Sequence, residues 1–191
     1  MFEMAPQELR ELLHERAFSS EELIQMTGVD KFTLRNWLKR GTPEIGAKHK
    51  LGRWVFSPAD MMRISAMIDL VEEIGMLPST AAQLAETPVK LVEWHCEQSA
   101  KNHADPDWDG YSPLEVALEN YVAVALIGEK GVKIHYAYWD GDQLVFSRDQ
   151  TELDKATRAL LRVTHIVLGA GLIADDIMDK VRRAMDAEAE A

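Results

Sequence analysis

The stretch "TGVDKFTLRNWLKRG", residues 27–41, sets Lys31, Arg35, Lys39 and Arg40, together with Phe32 and Trp37, between Gly28 and Gly41. At 100° per residue, Leu34, Trp37 and Leu38 fall on one stripe, the side a helix turns to a core. The opposite side carries Phe32, Arg35, Asn36 and Lys39, flanked by Lys31 and Arg40. A merely solvated face mixes both signs of charge and has no use for a phenylalanine. This one is cationic, with an amide and a ring. Asp30 is placed to cap the helix, and Gly41 to end it.

Outward from this helix the local signals are regular. In "FSSEELIQMTG" (18–28), Ser19 and Glu22 have capping-box spacing and Phe18 and Leu23 staple spacing. The spacing predicts a helix of about two turns that Gly28 stops. Two short helices joined by a glycine turn make a helix-turn-helix, in which the first braces the second in the major groove. Before it, Leu9, Leu12 and Leu13 mark an amphipathic helix within 5–17. After it, "AKHKLGRWVF" (47–56) reads as a small hairpin around Gly52. That hairpin adds Lys48, Lys50 and Arg53. Alternation sends Arg53 and Val55 to one side, Trp54 and Phe56 to the other.

Charge sharpens the contrast. Residues 28–56 hold seven basic and two acidic residues, net +5, in a chain of 191 residues with net charge −11. The remainder therefore carries −16. A basic island on an acidic body points to one polyanion site rather than to general adhesion. Arginine and lysine bond guanine edges or phosphates, asparagine bonds adenine bidentately, and an aromatic touches a thymine methyl.

Further along, Ser57 caps and Pro58 opens a helix that Gly75 ends, with Phe56 and Met61 as its staple. Helices follow at 80–86 and 88–101, then a polar linker, "SAKNHADPDWDGYS" (99–112). "YVAVALI" (121–127) fits either an extension of a preceding helix or a buried strand, which periodicity alone does not decide. "VKIHYAYW" (132–139), the turn pair Asp140-Gly141 and "QLVFS" (143–147) read as a hairpin beside it, which favours the strand and a small sheet. The tail from Glu152 to Ala187 reads as helix, interrupted at Gly169-Ala170-Gly171. Its apolar residues, among them Ile166, Leu168, Leu172, Ile173, Ile177 and Val181, can cover the sheet and a second subunit. Tyr136, Tyr138 and Trp139 fit cross-strand packing better than a ligand pocket.

The fold class expected is α+β, mainly helical, with an N-terminal winged helix-turn-helix domain and a small C-terminal α+β dimerisation or sensing domain. The divisions are an extension at 1–17, the DNA-binding domain at 18–86, helix and linker at 87–112, and the C-terminal domain at 113–191.

In element order, the stretch from Phe18 to Glu86 resembles the winged helix-turn-helix of MerR-family transcription regulators. The residues that carry it are "TGVDKFTLRNW" (27–37), "GRWVFS" (52–57), "PADMMRISAMIDLVEEIGM" (58–76) and "PSTAAQLAE" (78–86). The resemblance implies that Lys31, Thr33, Arg35 and Asn36 sit at the groove, with Arg53 and Trp54 as wing contacts to the DNA backbone. It implies double-stranded DNA and a second copy of the chain as partners, with RNA polymerase as a further contact. The Arg35-Asn36-Trp37 turn also looks like phage terminase small subunits and excisionases, which use the same winged scaffold for DNA packaging or recombination. Metal-sensing relatives use several cysteines. Here Cys96 beside His95 is the sole one, so no metal or cofactor is expected.

No catalytic residue stands out. The sequence has no glycine-rich phosphate loop and no nucleophile motif, and Asp175-Asp176 lie in a helical pattern that faces water. With no apolar run of 18 and no secretory leader pattern, a cytoplasmic protein without membrane contact is expected.

Overall fold

A computed structural model describes residues 5–49, 52–102, 121–128, 131–139, 144–146 and 164–189, with backbone alone for 98, 101, 102, 188 and the strand residues from 121 to 167. The first helix, α1 (Pro6–His14), buries Leu9, Leu12 and Leu13. A two-residue strand, β1 (Phe18–Ser19), leads into α2 (Ser20–Thr27). The expected capping box forms. The Ser19 backbone N–H donates to Glu22 Oε2 at 2.7 Å, and the Glu22 N–H to Ser19 Oγ at 3.3 Å. Phe18 and Leu23 are both buried.

Gly28, at φ 75°, closes α2 in the left-handed conformation that favours glycine. Helix α3 (Lys31–Arg40) starts at Asp30, whose Oδ1 accepts from the Phe32 and Thr33 N–H groups at 2.8 and 3.1 Å. Strands β2 (Ala47–Lys48) and β3 (Trp54–Phe56) form the hairpin. β1 joins the other edge of β3, pairing Phe18 with Phe56 and Ser19 with Val55. The result is a three-stranded sheet in the order β1-β3-β2.

Helix α4 (Pro58–Ile68) runs into a π-helical turn, Asp69–Glu73, before Gly75 reverses the chain. Its Ser57–Asp60 capping box is present, and Asp60 also pairs with Arg63, which bridges to Glu86. Helices α5 (Pro78–Leu84) and α6 (Thr87–Asn102) follow. The expected linker therefore starts later than its polarity suggests: 99–102 are the last turn of α6, and Ser99 is buried. Residues 103–120 lie outside the described residues.

The C-terminal part holds β4 (Tyr121–Gly128), β5 (Gly131–Trp139), β6 (Leu144–Phe146) and β7 (Thr164–Leu168), an antiparallel sheet in the order β6-β5-β4-β7. The expected strands at 121–127 and 132–139 are present and pair as a hairpin, Tyr121 opposite Tyr138. Asp140-Gly141 and 147–163 lie outside the described residues, as do the side chains of Tyr136, Tyr138 and Trp139. One expectation is corrected. The tail is not helical throughout, because Thr164–Leu168 pairs with β4 as strand β7. Three of its five residues, Thr164, Ile166 and Val167, are β-branched and suit a pleated strand better than a helix.

The last helix, α7 (Ala170–Ala189), packs against α4 and α6. Ala170, Ala174, Ile177, Met178 and Val181 join the same buried cluster as Leu13, Leu23, Phe56, Met61 and Val92. Leu172, which apolarity alone would place inside, is exposed. Small alanines take the inner face instead and permit a close approach to the neighbouring helices. Each of Ile177, Met178 and Val181 contributes about 2 kcal/mol through burial.

Candidate nucleic-acid interface

Helix α3 is held from below. Leu34 and Trp37 are 3% and 4% exposed, and Leu38 is half-buried against the same core. Lys31, Phe32, Arg35, Asn36, Lys39 and Arg40 are exposed, and Thr33 is half-buried at the margin. Phe32 is 73% exposed, the largest value among the exposed large apolar side chains described. Exposing such a ring forgoes about 1.5–3 kcal/mol that burial would supply.

Both ends of α3 are capped. Asp30 is occupied with two backbone N–H groups, so its charge stays at the helix start. Lys39 and Arg40 lie in the last turn, where cations complement the helix dipole. Gly41, at φ 62°, turns the chain away and donates its N–H to the Trp37 carbonyl.

The wing is built on stacked aromatics. Trp54 and Phe56 lie with ring centroids 6.4 Å apart and planes inclined by 23°. The Lys48 ammonium sits over the Trp54 ring, 5.6 Å from its centroid. Trp54 is half-buried, while Lys48 and Arg53 are exposed. The Trp54 ring thus supports Lys48 from beneath. At the turn, the His49 N–H donates to the Arg53 carbonyl at 2.7 Å and the Gly52 N–H to the His49 carbonyl at 2.8 Å. His49, which a count of lysine and arginine passes over, is exposed at this turn. Lys50 lies outside the described residues. Gly46 closes the root of the wing at φ 66°; a Cβ there would meet Phe56 Cε1 at 2.7 Å.

Away from this face, His95 and Cys96 are buried side by side on α6. His95 Nε2 and Ser99 Oγ share a hydrogen bond of 2.9 Å. Burial lowers the His95 pKa to about 4 and raises that of Cys96 to about 11. Among the described residues no three His, Cys, Asp or Glu side chains gather as a metal site. No helix among them is long and apolar enough to cross a membrane.

No curated protein matches the chain. A family model described as "MerR HTH family regulatory protein" matches residues 18–87, the span from β1 to the first residue of α6. Residues 18–87 are therefore a helix-turn-helix domain of the MerR family, a family of DNA-binding transcription regulators.

Proposed function

We propose that this protein is a sequence-specific, double-stranded DNA-binding transcription regulator that acts without catalysis. Helix α3 reads the major groove through Lys31, Phe32, Thr33, Arg35, Asn36, Lys39 and Arg40. The wing grips the backbone through Lys48, Lys50 and Arg53, with Trp54 under Lys48. One observation carries this reading. The outward face of α3 combines cations, an amide and a bare ring over a buried Leu34–Trp37 underside, within a chain whose remaining charge is −16. That acidic remainder repels DNA and confines contact to the island.

One recognition helix and one wing cover a short site. The reading therefore includes a homodimer, whose two-fold symmetry doubles the contacts and fixes half-site spacing. The segment 113–191 is assigned dimerisation or sensing, and RNA polymerase is the further partner. The setting is the cytoplasm, where the DNA is.

The test is selection of duplexes from a random library at low ionic strength, followed by titration of the selected duplex. Arg35→Ala and Asn36→Ala each weaken discrimination by about 1–3 kcal/mol at one base position while the circular dichroism stays native. Absence of any complex for the unaltered chain at low salt refutes the reading. Genome-wide occupancy then separates regulation, with peaks at promoters, from a packaging or excision role, with one peak at an attachment or packaging site.

A further inference from the structure

The end of α2 aims the recognition helix, because only Gly28, Val29 and Asp30 separate it from α3. The last carbonyls of a helix lack intrahelical partners and need others. Here the Ile24 carbonyl accepts the Gly28 N–H at 2.9 Å, and the Leu23 carbonyl accepts the Thr27 hydroxyl at 2.8 Å. The Thr27 hydroxyl also accepts the Val29 N–H at 3.3 Å, which ties the turn back to the helix. The Met26 carbonyl is satisfied from a distant part of the sequence. Lys180, on α7, donates its Nζ to it at 2.9 Å, while Asp176 Oδ2 holds the same ammonium at 2.7 Å.

Two features make this more than a surface contact. The donor is a cation at a helix C-terminus, where it complements both the orphan carbonyl and the dipole. Its helix is fixed by the neighbouring Ile177 and Val181, both fully buried in the common core. α7 also begins directly after β7, with Gly169 alone between them, and β7 pairs with β4. A continuous chain of elements thus runs from the four-stranded sheet through α7 to the turn that orients α3.

We propose that Lys180 is a positioning residue for DNA reading: by capping α2 from the C-terminal helix, it fixes the angle at which α3 is presented. The inference rests on the DNA-reading function proposed above. Lys180 touches no base or phosphate. It acts through Met26 and the turn, and it makes the geometry of the reader depend on where the C-terminal sheet holds α7.

The experiment uses the full chain and the duplex it selects, with a scrambled duplex of equal length beside it. Lys180→Met removes the cap and keeps the aliphatic stem. It is expected to lower affinity for the selected duplex roughly tenfold, with binding to the scrambled duplex within about twofold and the salt slope unchanged. Lys180→Arg, which keeps a cationic donor, restores the selected-to-scrambled ratio. Leu9→Ala, in the core-facing stripe of α1, serves as a packing control: it lowers stability but leaves the α7 residues beside Lys180 in place, so its ratio stays that of the unaltered chain. Amide exchange in Lys180→Met accelerates at Gly28 and Val29 first.

An unchanged ratio in Lys180→Met overturns the inference, as does an equal fall in Leu9→Ala. A parallel loss on both duplexes with a salt slope shallower by about one also overturns it, since that is a lost phosphate contact. If Lys180→Met does not fold, the ratio in Lys180→Ala, which likewise has no donor, decides in its place. Failure of the unaltered chain to prefer any duplex overturns the DNA-reading function itself, and this inference with it.

Discussion

Replacing His95 by glutamine should flatten the acid limb of the stability curve, and the size of the effect follows from its surroundings. His95 is 2% exposed on the inner face of α6, bonded to the Ser99 hydroxyl. Burial lowers its pKa from 6.5 to about 4. Above pH 6.5 the ring is neutral in both states and costs nothing. As pH falls through 6.5, the unfolded chain takes up a proton that the folded chain refuses. Stability then declines by up to about 1.4 kcal/mol per pH unit, and below pH 4 the folded ring is protonated too. The whole window corresponds to a loss of about 3 kcal/mol. Other carboxylates titrate nearby. Asp69, raised by burial and then by Glu73, gains stability as pH falls; Glu22, lowered by its bonds to Ser19, loses it. Both are common to the two proteins, so the difference isolates His95. Urea unfolding followed by circular dichroism at intervals from pH 7.5 to 4.5 gives the two curves. The difference should approach one proton between pH 6 and 5. Parallel curves, or an imidazole resonance of His95 that titrates near 6.5 in the folded protein, would refute the reasoning.

Three further outcomes test separate parts of the molecule. Gly46→Ala should cost about 2–4 kcal/mol in urea unfolding, because a left-handed backbone and a Cβ at 2.7 Å from Phe56 act together; Gly28→Ala, with nothing within 4 Å of its Cβ, should cost only about 1. Asp30→Ala should cost about 1 kcal/mol and raise amide exchange first at Phe32 and Thr33, whose N–H groups it accepts. Cys96, 3% exposed with its thiol raised to about 11, should resist iodoacetamide at pH 8 in the native protein and react at once in urea.

Much of the N-terminal part could be read from local chemistry. The signals that end or start helices lie within a few residues of their effect. Ser19 and Glu22, Asp30, Gly28, Gly41 and Ser57-Pro58 therefore mark boundaries that the structure reproduces. The exposed side of α3 was legible for the same reason: helical phase alone separates Leu34 and Trp37 from Phe32, Arg35 and Asn36. What was hidden depends on partners distant in sequence. β1 is two residues long and exists because Val55 and Phe56 pair with it. In sequence β7 reads as helix, since Ile166 and Leu168 continue an apolar pattern that α7 takes up. Its β-branched residues carried the opposite signal. The packing of α7 reverses a simple hydrophobicity ranking, with Ala174 inside and Leu172 outside. The Lys180–Met26 bond joins residues 154 positions apart and leaves no local trace.

The seat of α7 in the common core bears on how the protein is made. On a ribosome, residues 18–87 emerge well before Val181, by about 90 residues, or roughly 5–20 s at ordinary rates of synthesis. Through that interval residues 18–87 lack the buried α7 side chains named above and the Lys180 cap on α2. Chains cut short before α7 would share that defect, so on the function proposed above an incomplete copy would lack a finished DNA-reading face.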